Sequence, residues 1–73
     1  MVELLRRISF EPAVCHGKAH IRGTRVVIAA ILDSLASGAT EDKILEEYPS
    51  LEKEDIRAAM AYAAVLAREQ LVA

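Results

Sequence analysis

The chain has 73 residues, with nine Lys and Arg against eleven Asp and Glu, a net charge of −2. Area scaling gives a folded surface of roughly 4,500 Å² against about 11,600 Å² for the extended chain, so about 60% can be buried. That is one marginal domain over residues 1–73, of a size that usually needs a staple, and a single cysteine excludes an internal disulfide.

Val2-Glu3-Leu4-Leu5-Arg6-Arg7 has neither the apolar core nor the cleavage site of a signal peptide. Charges interrupt every apolar run before it reaches membrane-spanning length. With the lone thiol of Cys15, this predicts a cytoplasmic protein. Ile8-Ser9-Phe10-Glu11 alternates apolar and polar until Pro12 stops it, which predicts a short edge strand. His16-Gly17-Lys18 and Gly23 are turn signals. Ala19-His20-Ile21-Arg22 and the β-branched Thr24-Arg25-Val26-Val27 are expected to be extended. Residues 1–27 thus read as short strands and turns.

From Ile28 the period changes. Ile28, Ile31, Leu32, Leu35 and Ala36 follow the spacing of an amphipathic helix, and Gly38 is the natural residue to end it. Thr40 is a good N-cap for a second helix, with Glu41-Asp42 in its first turn, where the helix dipole favours negative charge. Ile44, Leu45 and Tyr48 share a face, and Pro49 closes the helix. Glu52 stands at the next N-cap with Asp55 three residues on, and Leu51 and Ile56 form a hydrophobic staple. A third helix is predicted from there to about Gln70. The fold class is mainly α: short N-terminal strands or a hairpin, then a three-helix, helix-turn-helix-like part over residues 28–70.

Ala58 to Ala67 is an unbroken apolar run. A surface helix shows one apolar stripe, whereas this one is apolar all round for nearly three turns. A monomeric Ala-rich helix is the plain alternative, because Ala has the highest helix propensity. The spread of Met60, Tyr62, Val65 and Leu66 over different faces favours a helix shared by two subunits. Met60, Tyr62, Ala63 and Leu66 are the candidate homodimer interface.

No chemistry-bearing constellation emerges. Cys15, His16 and His20 cluster, but a structural zinc site needs four ligands. Cys15-His16 lacks an orienting acid for a nucleophile and base, and adjacent residues point apart in a strand. Glu46-Glu47 and Glu54-Asp55 read as solvated helix faces. Gly17-Lys18 and Gly23-Thr24 lack the spacing of a phosphate loop. The expectation is no enzyme, no metal and no cofactor.

Nucleic acid is a stronger candidate. An aromatic content of 4% argues against single-strand platforms, which stack bases on aromatic rings. The predicted helices have helix-turn-helix proportions, which would present the start of the last one to the major groove of double-stranded DNA. Lys53 and Arg57 are its candidate readers, although Glu52-Lys53-Glu54-Asp55 is net negative, and phosphate repels that. The basic residues are concentrated elsewhere. Residues 1–26 carry five basic and two acidic side chains, net +3, and residues 27–73 four and nine, net −5. Arg6, Arg7, Lys18, Arg22 and Arg25 are therefore the candidate phosphate contacts. The same asymmetry also suits head-to-tail contact within an oligomer.

Gly17-Lys18-Ala19-His20-Ile21-Arg22-Gly23-Thr24-Arg25 resembles the signature of the family called domain of unknown function 433. The Gly38-Ala39-Thr40 turn, Ile44-Leu45-Glu46-Glu47-Tyr48-Pro49-Ser50-Leu51, and Asp55-Ile56-Arg57-Ala58-Ala59 with Tyr62-Ala63 resemble the same family. The likeness covers roughly residues 8–66. It departs at Ala19, where Pro is usual, at His20, where an apolar residue is usual, and at Glu52, where Ser or Thr normally caps the last helix. The resemblance implies a small helix-turn-helix-like protein, similar in some members to the antitoxin of VapBC-type pairs, whose toxin is a PIN-like ribonuclease. It implies a DNA-binding antitoxin and autorepressor; the alternative is a dimeric protein-interaction module without DNA binding. Antitoxins often carry a separate toxin-wrapping tail. Here only Leu71-Val72-Ala73 follows the last predicted helix, so toxin contact would use the folded surface. Arg25 is expected to dock its guanidinium on helix carbonyls or carboxylates.

Overall fold

The computed structural model describes the backbone of residues 2–72 and the side chains of residues 2–68. Its elements are α1 (Val2–Leu5), β1 (Ile8–Ser9), β2 (His20–Ile21), α2 (Ile28–Ala36), α3 (Glu41–Glu47) and α4 (Lys53–Val72). The architecture is mainly α, with a short antiparallel hairpin ahead of the three helices of the helix-turn-helix-like part. Ile8 pairs with Ile21 and Ser9 with His20. All four are buried, so the alternation of Ile8-Ser9 does not mark one face wet and one dry.

The termini of α2 and α3 follow their residues. Gly38 has φ 96°, a left-handed conformation that costs glycine little. The amide of Ala39 donates to the Ser34 carbonyl and that of Gly38 to Leu35, both at 3.0 Å. Together these close α2 with a Schellman motif. The Thr40 hydroxyl accepts from the Lys43 amide at 3.2 Å and caps α3. At the start of α4 the capping is one-sided. The Asp55 carboxylate reaches back to the Glu52 amide at 2.8 Å, while the Glu52 side chain is turned to Arg7. Leu51 and Ile56 are both buried, as the staple requires.

The core joins Ile8 and Ile21 of the hairpin to Ile28, Ile31, Ile44, Leu51, Ile56, Ala58 and Ala59. This changes the reading of the apolar run on α4. Ala58, Ala59 and Ala61 are buried within the chain itself, because α1, α2 and α3 all pack on this helix. Only the later part of the run is left over. Phe10 reaches Tyr62, with ring centroids 6.0 Å apart.

Residues 1–27 differ from the sequence reading in three ways. Val2–Leu5 is helical rather than unassigned: Leu4 and Leu5 pack against the core. Thr24–Val27 is not a strand. One bridge, His20 to Val27, is its share of the ladder. The Thr24 hydroxyl donates to the Ile21 carbonyl at 2.8 Å and accepts from the Val26 amide at 3.1 Å, which draws the chain into a tight loop instead. Finally, Cys15, His16 and Gly17 form a turn with φ of 54°, 55° and 78°, so Cys15-His16 is not extended. The Gly17 amide donates to Val14 and the Lys18 amide to Cys15. At the other end, α4 continues past Gln70 to Val72. In the segment Leu71-Val72-Ala73, Ala73 and the side chains of Leu71 and Val72 lie outside the described residues.

Candidate functional site: charged cleft, helix start and apolar groove

The seven candidate DNA contacts do not form one surface. Arg6, Arg7 and Arg22 come together in an open cleft of about 700 Å³, shared with Glu3, Leu4, Thr24, Ser50, Glu52, Glu54 and Asp55. Arg7 Nη1 donates to Asp55 Oδ1 at 2.9 Å and to Glu52 Oε1 at 3.0 Å. The Asp55 side chain is 6% exposed and that of Glu52 65%, so the Asp55 partnership is the better shielded of the two. Hydrogen bonds from Arg7 to Asp55 and then Glu52 raise its pKa above the ordinary arginine value, against a smaller desolvation effect. The stabilisation from a raised pKa is complete below the unfolded value and lost only as pH climbs through the folded one. The Arg7 charge is therefore constant across the physiological range.

Arg22 is also occupied. Its Nε donates to the Arg6 carbonyl and its Nη2 to the Ile8 carbonyl, both at 3.0 Å. Its amide donates to the Arg7 carbonyl at 2.7 Å. One side chain and its own backbone thus hold residues 6–8 in place. The role expected of Arg25, docking on carboxylates of the acidic body, is taken by Arg7, while Arg22, directly after β2, faces the carbonyls leading into β1. Arg25 is exposed, and its carbonyl accepts from Cys15 Sγ at 3.4 Å.

Lys53 and Arg57 are one turn apart on α4, and both are exposed. Among the described residues neither has an ion-pair partner. Their acidic neighbours are not alike. Glu52 and Asp55 point at Arg7, while Glu54 is exposed and without an ion pair among the described residues.

The candidate dimer residues divide. Tyr62, Ala63 and Leu66 line a groove of about 460 Å³ with Val27, Ile28, Ala29 and Leu32 of the α2 start, and with Ala19, Lys18 and Ala67. Met60 is 42% exposed and is not in the groove. At helical spacing it falls on the stripe of Lys53, Arg57 and Ala64 instead. Among the described residues Lys18 is the one charged side chain lining the groove, which separates it from the other candidate phosphate contacts. The sequence showed the apolar run but not the groove, since α2 supplies the facing wall.

Cys15, His16 and His20 do not assemble into a site. His20 is buried with Nδ1 2.9 Å from the Lys18 carbonyl, Cys15 faces Arg25, and His16 is exposed. Among the described residues, no group of three His, Cys, Asp or Glu could hold a metal ion. Nor is any helix there long and apolar enough to cross a membrane.

Comparison with known proteins agrees with this architecture. A crystal structure of a DUF433 member protein from Anabaena variabilis matches with a TM-score of 0.77 and 33% identity, over 93% of this chain and 68% of that one. The uncharacterized protein y4eO of Sinorhizobium fredii is 38% identical over 56 residues, 77% of this chain. The chain spans about a quarter (25%) of that relative's length. The family described as "Protein of unknown function (DUF433)" matches residues 8–63. That match takes in the hairpin, α2, α3 and α4 through Ala63, and on it the chain belongs to the DUF433 family.

Proposed function

We propose that this chain is a small, non-catalytic, cytoplasmic regulator of antitoxin type, which binds double-stranded DNA through α3, the turn after it and the start of α4. Its protein partner in this reading is a PIN-like ribonuclease, and the DNA is the upstream region of its own operon. The observation that carries the reading is the arrangement at the start of α4. Read as a sequence, Glu52-Lys53-Glu54-Asp55 repels phosphate. In the fold, Arg7 takes up Glu52 and Asp55, which leaves Lys53 and Arg57 against Glu54 alone. Anchored on Arg7, the helix start offers two exposed cations, without an ion pair among the described residues, at the spacing of one turn.

A second reading, a protein-interaction module without DNA binding, has its own support. Arg7 and Arg22 are committed to internal contacts, so fewer cations are available for phosphate than the sequence suggests. The two readings separate in an anisotropy titration with the gene's own upstream region at two salt concentrations, with and without the neighbouring gene product. The regulator is expected to prefer that DNA over a scrambled duplex. Lys53→Ala or Arg57→Ala should cost about 1–3 kcal/mol where the side chain reads a base. If neither the chain nor its complex prefers that DNA, the interaction module stands.

A further inference from the structure

We propose that Arg22 is a positioning residue for DNA recognition. It fixes the N-terminal arm, residues 2–7, so that Arg7 keeps the Glu52 and Asp55 carboxylates neutralised at the start of α4. The proposal rests on the DNA reading above and gives Arg22 an effect on DNA without a contact to it.

Arg22 grips three consecutive carbonyls. Its Nε donates to Arg6 and its Nη2 to Ile8, both at 3.0 Å, and its amide donates to Arg7 at 2.7 Å. The two side-chain bonds leave different nitrogens of one planar guanidinium, so they fix direction as well as distance. Together the three bonds bracket Arg7. Arg7 in turn spends a single nitrogen, Nη1, on two carboxylates, Asp55 at 2.9 Å and Glu52 at 3.0 Å. A displacement of about 1 Å away from α4 would break both contacts. The other holds on the arm are apolar: α1 packs on α4, with Leu4 and Leu5 against the core. Such contacts keep the arm close but are non-directional. The aim of Arg7 therefore comes from Arg22.

The aim matters because of what else is near. Glu3 and Glu54 line the same cleft as Arg7, and both are exposed. An arm free to shift would let Arg7 pair with either of them and release Glu52. The Glu52 side chain is 65% exposed and directly precedes Lys53, so its free carboxylate would lie within a Debye length, about 8 Å, of any phosphate that Lys53 approaches. Arg22 limits Arg7 to the pair whose neutralisation clears the helix start. Arg22 is itself exposed, and a direct phosphate contact is the plain alternative. The alternative needs only the charge, whereas the positioning role needs the fork.

The experiment is anisotropy titration of the full chain with the gene's own upstream region and with a scrambled duplex, with circular dichroism as the check on folding. Arg22→Lys keeps the charge but loses the planar fork that spans two carbonyls. It should stay helical and weaken binding to the upstream region about fivefold, as Arg22→Met should. In an Arg7→Met background, Arg22→Lys should cost nothing further, because the contact that Arg22 serves is already gone. Glu52→Gln should restore most of the affinity that Arg22→Lys loses, a recovery that a general loss of stability would not show. An Arg22→Lys variant that binds as the wild type overturns the proposal. So does a loss that persists undiminished beside Arg7→Met, which marks a direct phosphate contact, or one that Glu52→Gln leaves in place. Loss of the helical signal together with DNA binding also overturns it, since Arg22 would then serve stability alone. Each of these results leaves the DNA reading standing. A wild type without preference for the upstream region overturns that reading, and this proposal with it.

Discussion

The two halves of α4 are built from similar residues and do different things. From Lys53 to Ala61 the helix is capped by Asp55, anchored by Arg7 and buried through Ile56, Ala58 and Ala59. From Tyr62 to Arg68 the same Ala-rich composition continues, but there the helix faces an open groove across from α2, and Leu66 stays exposed. Composition therefore does not decide burial along this helix. What decides it is which other elements reach each turn. The helix as a whole is met by α1, α2 and α3, and its buried residues fall in its early turns.

Substitutions should break the two halves apart experimentally. The largest effect is expected from Ile56→Ala. Ile56 is fully buried, and truncation should cost about 2–5 kcal/mol in urea unfolding, with the cavity adding to the lost burial. Asp55→Ala follows at about 1–3 kcal/mol, since it removes a cap on the Glu52 amide and the better shielded of the two carboxylates that Arg7 holds. Gly38→Ala should cost about 1–2 kcal/mol. Its Cβ would meet nothing within 4 Å, so the cost would be that of the left-handed backbone alone. Leu66→Ser belongs to the other half. Measured where the chain is monomeric, it should change stability by no more than about 0.5 kcal/mol. A loss as large as that of Ile56→Ala would mean that the two halves are equally part of the core.

What was legible in the sequence was local. Gly38, Thr40 and Pro49 punctuate the helices through contacts with their own near neighbours, so their effects can be read from spacing. The Leu51–Ile56 staple is of the same kind. Contacts that cross the chain were not legible. Arg7 and Asp55 are 48 residues apart, and nothing in the spacing of either marks the other. The same holds for α1, whose four residues are too few to show a helical period and fold where Leu4 and Leu5 meet the core. The docking of Arg7 rather than Arg25 on the acidic body turned on such a contact. Of the candidate site, the apolar run of α4 was visible, but its division into a buried part and a groove wall needed the position of α2.

The turn at Cys15–Gly17 bears on chirality. Cys15 and His16 are L-residues held at φ of 54° and 55°, where an L side chain crowds the following carbonyl at a cost of roughly 1–2 kcal/mol per residue. For a D-amino acid the same angles lie in its preferred basin. A 73-residue chain is within reach of chemical ligation, so a synthetic protein with D-histidine at position 16 can test this directly. His16 is exposed, and inverting its α-carbon should raise the melting temperature while leaving the surrounding contacts as they are. In a natural sequence glycine gives comparable relief at its own position, as Gly17 does at φ 78°, and Asn or Asp gives part of it.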